Sequence, residues 1–286
     1  TSAGLAHLTS SDVISTGIAD LDSMLGVGGY FVGSSVLVSG LAGTGKTTFA
    51  AKFVEARCKL GERTLWFAFE ESPEQIVRNM RSVGVDLAHS LGDTLRIESA
   101  RPSFFGLEMH LARMYRDIDL FKPSAVVIDP ISSLRGVESE VHATLLRLVD
   151  LLKSRGITAV FTSLSSTDQA SSVNDRSISS LMDTWISLSH IETNGERNRL
   201  VYVLKSRGMD HSNQVREYQI SNGGIAMVPA YIGAGGVLTG SARLAQEAQE
   251  RDASAARDEL VMQKKRELAR RRKVVEQQVA ELQSAL

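Results

Sequence analysis

One eight-residue segment, Gly-Leu-Ala-Gly-Thr-Gly-Lys-Thr at residues 40–47, constrains this chain more than any other feature. A short apolar stretch at residues 34–39 precedes it, and the residues after Lys46 predict a helix that ends at Gly61. A glycine-rich loop between a strand and a helix turns its backbone N–H groups inward around phosphate oxygens. The segment is therefore predicted to be a P-loop.

Each polar residue of the loop has an expected task. The ammonium of Lys46 is expected to approach the β- and γ-phosphates, where it is also counted as catalytic, and the hydroxyl of Thr47 to bind Mg²⁺. ATP and Mg²⁺ are thus the predicted ligands. The predicted nucleotide-binding residues of the loop are Gly43, Thr44, Gly45, Lys46, Thr47 and Thr48.

Two further acidic positions follow predicted strands. Residues 125–129, Ala-Val-Val-Ile-Asp, form an apolar strand that ends in Asp129, the pattern of the second magnesium-associated carboxylate in P-loop proteins. Glu70 and Glu71 end another apolar strand. Because ligands of open parallel sheets bind at the carboxyl ends of strands, one of these two glutamates is predicted to position or deprotonate the attacking group.

The hydrophobic pattern predicts an α/β fold. Apolar strands alternate with amphipathic helices between residues 34 and 162, which is typical of a mainly parallel sheet covered by helices on both faces. Three later stretches alternate apolar with polar residues and are predicted to be antiparallel strands, at residues 185–192, 199–205 and 215–221. We expect a linker over residues 1–12, one nucleotide-binding domain over 13–232, a hinge over 233–242 and a helix over 243–286.

Composition limits the possible partners. The formal net charge is −1, which argues against a protein that coats nucleic acid along its surface. The single cysteine cannot form a disulfide framework, and we find neither a signal peptide nor an apolar run long enough for a membrane span. We therefore expect a cytoplasmic protein that binds neither a membrane nor, as its main task, nucleic acid.

Two polar segments leave alternatives open. Residues 163–189 are dense in hydroxyl groups and are either a polar loop or a set of phosphate acceptors held near a nucleotide. Lys205 and Arg207 are predicted to follow a strand, and are either ordinary surface charges or cations that reach a phosphate of the same or a neighbouring subunit.

The C-terminal tail contains neither proline nor glycine after residue 240 and is predicted to form one long helix. Four apolar residues recur every seven positions and indicate a partial coiled-coil seam, namely Val261, Leu268, Val275 and Leu282. The basic cluster at residues 264–273 is interpreted as a solvated or partner-facing surface of this helix.

Taken together, these segments resemble the second ATPase domain of the KaiC family of RecA-like circadian clock proteins. The resemblance extends over about residues 10–230 and is most specific at Phe-Ala-Phe-Glu-Glu-Ser (67–72), Ser-Ile-Ser-Ser-Leu-Met-Asp-Thr (177–184) and Lys-Ser-Arg-Gly-Met (205–209). It implies a RecA-like P-loop fold and a homohexamer with ATP between subunits. Two such rings joined by the C-terminal helices would form a dodecamer, and a KaiB-like regulatory partner is expected.

The resemblance also implies roles for individual residues. Thr47 and Asp129 would hold Mg²⁺, and Glu70, together with Glu71, would act as the general base. The two adjacent phosphate acceptors of the family fall at Ser179 and Ser180. Lys205 and Arg207 would reach the γ-phosphate bound by the neighbouring subunit.

Three features differ from the family pattern. The second acceptor is serine in place of threonine, only one ATPase domain is present, and the tail is a long charged helix. The expected function is an autokinase and ATPase whose phosphorylation state is a timing or regulatory signal. Two alternatives stay open, a nucleotide-gated scaffold without kinase activity and a RecA-type DNA-dependent ATPase.

Overall fold

The fold was analysed in a computed structural model that describes residues 10–165, 178–193, 195–229, 231–233 and 236–284. Most of the predicted linker, residues 1–9, and most of the hydroxyl-rich segment, residues 166–177, lie outside the described residues. Contact clustering divides the chain into two compact units, Thr1–Ala230 and Tyr231–Leu286.

The first unit is built on a nine-stranded sheet in the order β11-β10-β9-β8-β3-β7-β6-β4-β5. Six neighbouring strands of this sheet run parallel, namely β8, β3, β7, β6, β4 and β5. Beyond β8, the strands β9, β10 and β11 extend the sheet by antiparallel pairing. Their bounds are β3 Ser35–Gly40, β4 Thr64–Ala68, β5 Leu95–Ser99, β6 Ala125–Asp129, β7 Thr158–Leu164, β8 Thr184–Thr193, β9 Glu196–Ser206, β10 Arg216–Ser221 and β11 Gly224–Pro229. A separate two-stranded sheet pairs β1 (Val13–Ile14) with β2 (Tyr30–Phe31).

Helices cover both faces of the sheet, as the sequence pattern predicts. Their bounds are α1 Ala19–Asp22, α2 Lys46–Lys59, α3 Pro73–Ser82, α4 Leu107–Phe121 and α5 Glu138–Ser154. Side chains alternate between the faces, so Val127 of β6 packs in the core under α2 and α3, whereas Val126 and Ile128 pack under α4 and α5. This arrangement is the RecA-like α/β fold.

Two local predictions were wrong. β8 was expected to be antiparallel, but it pairs parallel with β3 and antiparallel only with β9. The period-2 pattern identifies a strand without fixing its direction. Lys205 was expected after a strand, yet β9 continues to Ser206, so only Arg207 follows it.

The second unit consists of a hairpin and a long helix. Strands β12 (Tyr231–Gly233) and β13 (Gly236–Leu238) are antiparallel, and helix α6 spans 45 residues from Gly240 to Ser284. The stretch predicted as a hinge therefore includes β13 and the first residues of α6. None of the described helices has an apolar stretch long enough to cross a membrane.

Candidate functional site

The P-loop connects the carboxyl end of β3 to α2, and two of its glycines adopt the left-handed region. Gly43 has φ of 79° and Gly45 has φ of 90°, conformations that residues with a Cβ rarely adopt. A Cβ at Gly45 would also lie 2.3 Å from Cδ1 of Ile220, whereas one at Gly43 would meet nothing within 4 Å. The loop is thus packed behind Gly45 and open in front of Gly43, where a phosphate group fits.

Lys46 lies at the first position of α2 and folds back across the loop. Its Nζ donates to the carbonyl oxygens of Gly40 and Leu41, at 2.9 Å and 2.8 Å. Burial lowers the pKa of this ammonium, and the charges of Asp129 and Glu70 oppose the shift. The lysine is therefore held with its charge at the mouth of the loop, beside the first turn of α2 that contains Thr47 and the buried Thr48.

Asp129 ends β6 and is only 8% exposed. Its carboxylate accepts a hydrogen bond from the hydroxyl of Thr162, and burial raises its pKa above the ordinary value, an effect that the nearby hydroxyls of Thr162 and Thr47 oppose. One carboxylate and one hydroxyl oxygen, both lining the cleft, are oxygen ligands of the kind that Mg²⁺ prefers. The residues present fit a magnesium ion bound through Thr47 and Asp129.

Glu70 and Glu71 follow β4, and their carboxylates accept hydrogen bonds from different residues. Glu70 Oε1 accepts a hydrogen bond of 2.6 Å from the hydroxyl of Ser133. Glu71 Oε1 accepts one of 2.9 Å from the side-chain amide of Asn79 in α3. Both carboxylates line a cleft of about 400 Å³ together with Gly43, Gly45, Lys46, Thr47 and Asp129. The structure thus brings most of the predicted phosphate, magnesium and base residues into one cleft, whereas Thr44 and Thr48 are buried and do not line it.

Sequence reasoning missed the residues that support this cleft. Arg199 of β9 donates through Nε to the carbonyl of Gly43 at 3.2 Å, and the Tyr218 hydroxyl of β10 donates to the carbonyl of Thr44. Ser133 and Asn79 were missed as well. The sequence around Arg199 and Tyr218 does not indicate this supporting role, because their partners in the phosphate loop lie 156 and 174 residues away along the chain.

The two predicted acceptor serines lie elsewhere. Ser179 is partly buried and Ser180 is exposed, and both have partners within the chain. Lys205 Nζ donates to the carbonyl oxygens of Ser179 and Met182, each at 2.8 Å, and Arg207 Nη2 donates to that of Ser180 at 2.8 Å. Both predicted phosphate-binding cations therefore hold the backbone of the acceptor segment.

A partly buried ion pair fixes this segment to the start of β3. Burial alone would raise the pKa of Asp183, but Lys153, at 2.8 Å, and the N–H and hydroxyl of Ser35, each at 2.9 Å, together lower it. Because Ser35 begins β3 and Gly40 ends it, the serines lie at the opposite edge of the sheet from the P-loop. The length of the strand separates the two edges by about 17 Å. The hydroxyl-rich segment begins near the nucleotide cleft at Leu164, but its serines at 179 and 180 do not remain there.

Comparisons with known proteins identify the family of the chain. The family model described as "ATPase: KaiC" matches residues 14–231. The circadian clock protein KaiC2 of Synechocystis sp. is 45% identical over 291 aligned positions, which cover 100% of this chain and 51% of that protein. The circadian clock oscillator protein KaiC of Parathermosynechococcus lividus is 39% identical over 243 residues, covering 83% of this chain and 44% of that protein. The circadian clock oscillator protein KaiC of Synechococcus elongatus is 38% identical over 226 residues, which cover 77% of this chain and 43% of that protein. The chain spans about half the length of these relatives.

Proposed function

The chain belongs to the KaiC family of ATPases, and we propose that it hydrolyses ATP-Mg and phosphorylates its own adjacent serines, Ser179 and Ser180. The observation that carries the kinase part is the grip of Lys205 and Arg207 on the backbone of those serines. Such a grip presents hydroxyl groups at a fixed place on the edge of the sheet. The phosphorylation state of the serines would then serve as a timing or regulatory signal.

The chemistry follows from the groups in the cleft. A serine Oγ forms a bond to the γ-phosphorus, its proton passes to the Glu70 carboxylate, and the bond to the bridging oxygen breaks so that ADP leaves with the electron pair. Ser133 orients Glu70 for this proton, and Lys46 faces the charge that develops on the phosphoryl oxygens. Magnesium held by Thr47 and Asp129 would neutralise the phosphates. In hydrolysis, water takes the place of the serine.

The position of the serines supports transfer between copies of the chain. An acceptor about 17 Å from the P-loop of its own chain cannot meet a γ-phosphate held there. A second copy that packs its serine edge against the nucleotide cleft would bring the two together. This arrangement fits the predicted hexamer, in which Lys205 and Arg207 would also approach the neighbour's nucleotide.

The test is incubation with γ-labelled ATP-Mg, followed by mass spectrometry of the peptides that contain residues 178–183. We expect label on Ser179 or Ser180, and its loss in the Glu70→Gln, Glu71→Gln double variant. Release of ADP without any labelled serine would contradict the kinase and leave the nucleotide-gated scaffold as the better interpretation.

A mixing experiment tests transfer between copies. Lys46→Ala retains its serines but loses the phosphate-binding ammonium, and Ser179→Ala, Ser180→Ala retains the cleft but lacks acceptors. Each variant alone should remain unlabelled, and co-expression of the two should restore label on the Lys46→Ala chain. If the co-expressed chains remain unlabelled while wild type is labelled, transfer occurs within one chain.

The long helix suggests how larger assemblies form. Within the second unit, the predicted seam residues Val261, Leu268 and Val275 of α6 are each about half exposed or more, so this part of the seam is available to a second copy. The side chain of the fourth, Leu282, lies outside the described part of the helix. We propose that α6 pairs two rings into a dodecamer. Deletion of residues 243–286 should halve the assembly mass measured by light scattering, and an unchanged mass would refute this pairing. A KaiB-like partner stays a prediction.

A further inference from the structure

A second cavity adjoins the nucleotide cleft and is not used by the chemistry above. It has a volume of about 380 Å³ and lies where β4 and β5 end. Glu70 and Glu71 line both cavities, so the two carboxylates form a shared wall. The second cavity is also lined by Arg101, Phe105 and Arg113.

The two arginines give this cavity the chemistry of a phosphate site. The guanidinium carbon of Arg113 lies 4.0 Å from the centroid of the Phe105 ring. A guanidinium stacked on an aromatic ring keeps its in-plane N–H groups available for two parallel hydrogen bonds to phosphate oxygens. Among the described residues, neither Arg101 nor Arg113 forms an ion pair with a carboxylate. The cavity thus combines two arginines that lack a carboxylate partner with the carboxylates of Glu70 and Glu71, and the place for a phosphate in it is the guanidinium fork stacked on Phe105.

The adjacency of the two serines identifies where that dianion comes from. When one serine is presented to Glu70, the neighbouring serine lies one residue away, and adjacent Cα atoms are about 3.8 Å apart. A phosphate already attached to that neighbour cannot lie comfortably against Glu70 and Glu71, because like charges repel. The adjoining cavity shares those carboxylates but also contains the guanidinium groups of Arg101 and Arg113, which can form charge-assisted hydrogen bonds to the phosphate.

We propose that this cavity binds the phosphate of the first serine to be modified, on a neighbouring copy, while the second serine is presented to Glu70. The proposal rests on the proposed autokinase. It makes Arg101 and Arg113 a phosphoserine-binding pair that promotes the second phosphorylation. The occupant is the phosphorylated segment of a second copy, and free inorganic phosphate released by hydrolysis is the competing source of the same chemistry.

The test is the Arg101→Gln, Arg113→Gln variant of the full chain, incubated with ATP-Mg. Intact-mass spectrometry then gives the unmodified, singly and doubly phosphorylated fractions. We expect the doubly phosphorylated fraction to fall at least threefold and the singly phosphorylated form to accumulate. Arg81→Gln, the same substitution at an exposed arginine of α3 outside both cavities, is the matched control and should follow wild type. Arg113→Lys keeps the positive charge but lacks the planar guanidinium group, so the doubly phosphorylated fraction of this variant should be intermediate.

The outcomes separate this inference from the function on which it rests. Absence of any phosphoserine in wild type would refute the autokinase itself. Normal double phosphorylation in the arginine variant would refute only the phosphoserine site, even if inhibition of hydrolysis by added inorganic phosphate weakened, because that result would assign the cavity to free phosphate. A parallel loss of ATP hydrolysis would also overturn the inference, since the arginines would then act on the nucleotide cleft.

Discussion

The two ends of β3 are built in different ways. At the carboxyl end, the phosphate loop is formed by consecutive residues whose glycines and lysine set its shape locally. At the amino end, the acceptor segment, which includes Asp183, is held by Ser35, Lys153 and Lys205, which come from three distant parts of the sequence. A local motif sets the shape of the nucleotide end and distant strands support it, whereas the acceptor end depends on contacts among distant residues throughout. The following variants test that contrast, beginning with the largest expected effect.

Substitution of Lys46 should impair ATP hydrolysis at the carboxyl end of β3 and leave the structure at the amino end of β3 unchanged. We expect Lys46→Ala to lower ATP hydrolysis by about 10³-fold, because the ammonium that faces the phosphates is lost. The amino end should keep its structure, since Lys46 contacts only loop carbonyls among the described residues. A coupled-enzyme assay for ADP measures the first effect and circular dichroism the second. Substantial residual hydrolysis would contradict the assigned role.

Substitution of Glu70 should affect phosphoryl transfer to serine more than it affects the binding of ATP. We expect Glu70→Gln to lower the rate of serine phosphorylation by about 10²-fold, while ATP binding measured by calorimetry changes little. Ser133→Ala, which removes only the hydrogen bond that orients Glu70, should have a smaller effect in the same direction. Equal effects of the two substitutions would argue that orientation, rather than proton acceptance, is the main contribution of this carboxylate.

Asp183 is the corresponding test at the amino end. Asp183→Asn should lower the free energy of unfolding by about 2 kcal/mol, because Lys153 loses its charged, partly buried partner. Because the pKa of Asp183 is lowered in the folded protein, this stabilisation is present above its ordinary pKa and is lost as the pH falls through the lowered value. Urea titrations at pH 7 and near pH 3 should therefore show a smaller difference between variant and wild type at the lower pH. A constant difference would refute the ion pair as its source.

Substitution of Asp129 should raise the free energy of unfolding, whereas substitution of Asp183 should lower it. Asp129→Asn removes a buried negative charge, and we expect the nucleotide-free protein to gain about 1 kcal/mol in stability. The same variant should lose the additional thermal stabilisation that ATP-Mg gives to wild type, because a magnesium ligand is gone. Differential scanning calorimetry with and without ATP-Mg measures both effects. Destabilisation of the nucleotide-free variant would show that the hydrogen bonds to Asp129 outweigh its burial.

The contrast also explains what could be predicted from sequence. The P-loop, Asp129 and Glu70 were identified because each follows an apolar parallel strand, and such strands end at one edge of the sheet. The placement of Ser179 and Ser180 at the other edge was not predicted. It depends on the direction of β8 and on the ion pair of Asp183 with Lys153, neither of which leaves a pattern in the local sequence. Arg101 and Arg113 were missed because isolated arginines are common on exposed surfaces.

The hydrogen bonds from Arg199 and Tyr218 to the phosphate loop have a consequence for synthesis of the protein. A nascent chain that ends before Arg199 already contains the complete glycine-rich motif and the helix that follows it. It lacks the two strands that anchor the loop carbonyls and the isoleucine that packs behind Gly45. Tight nucleotide binding is therefore expected to be a late event on the ribosome, acquired only after the antiparallel edge of the sheet has been made.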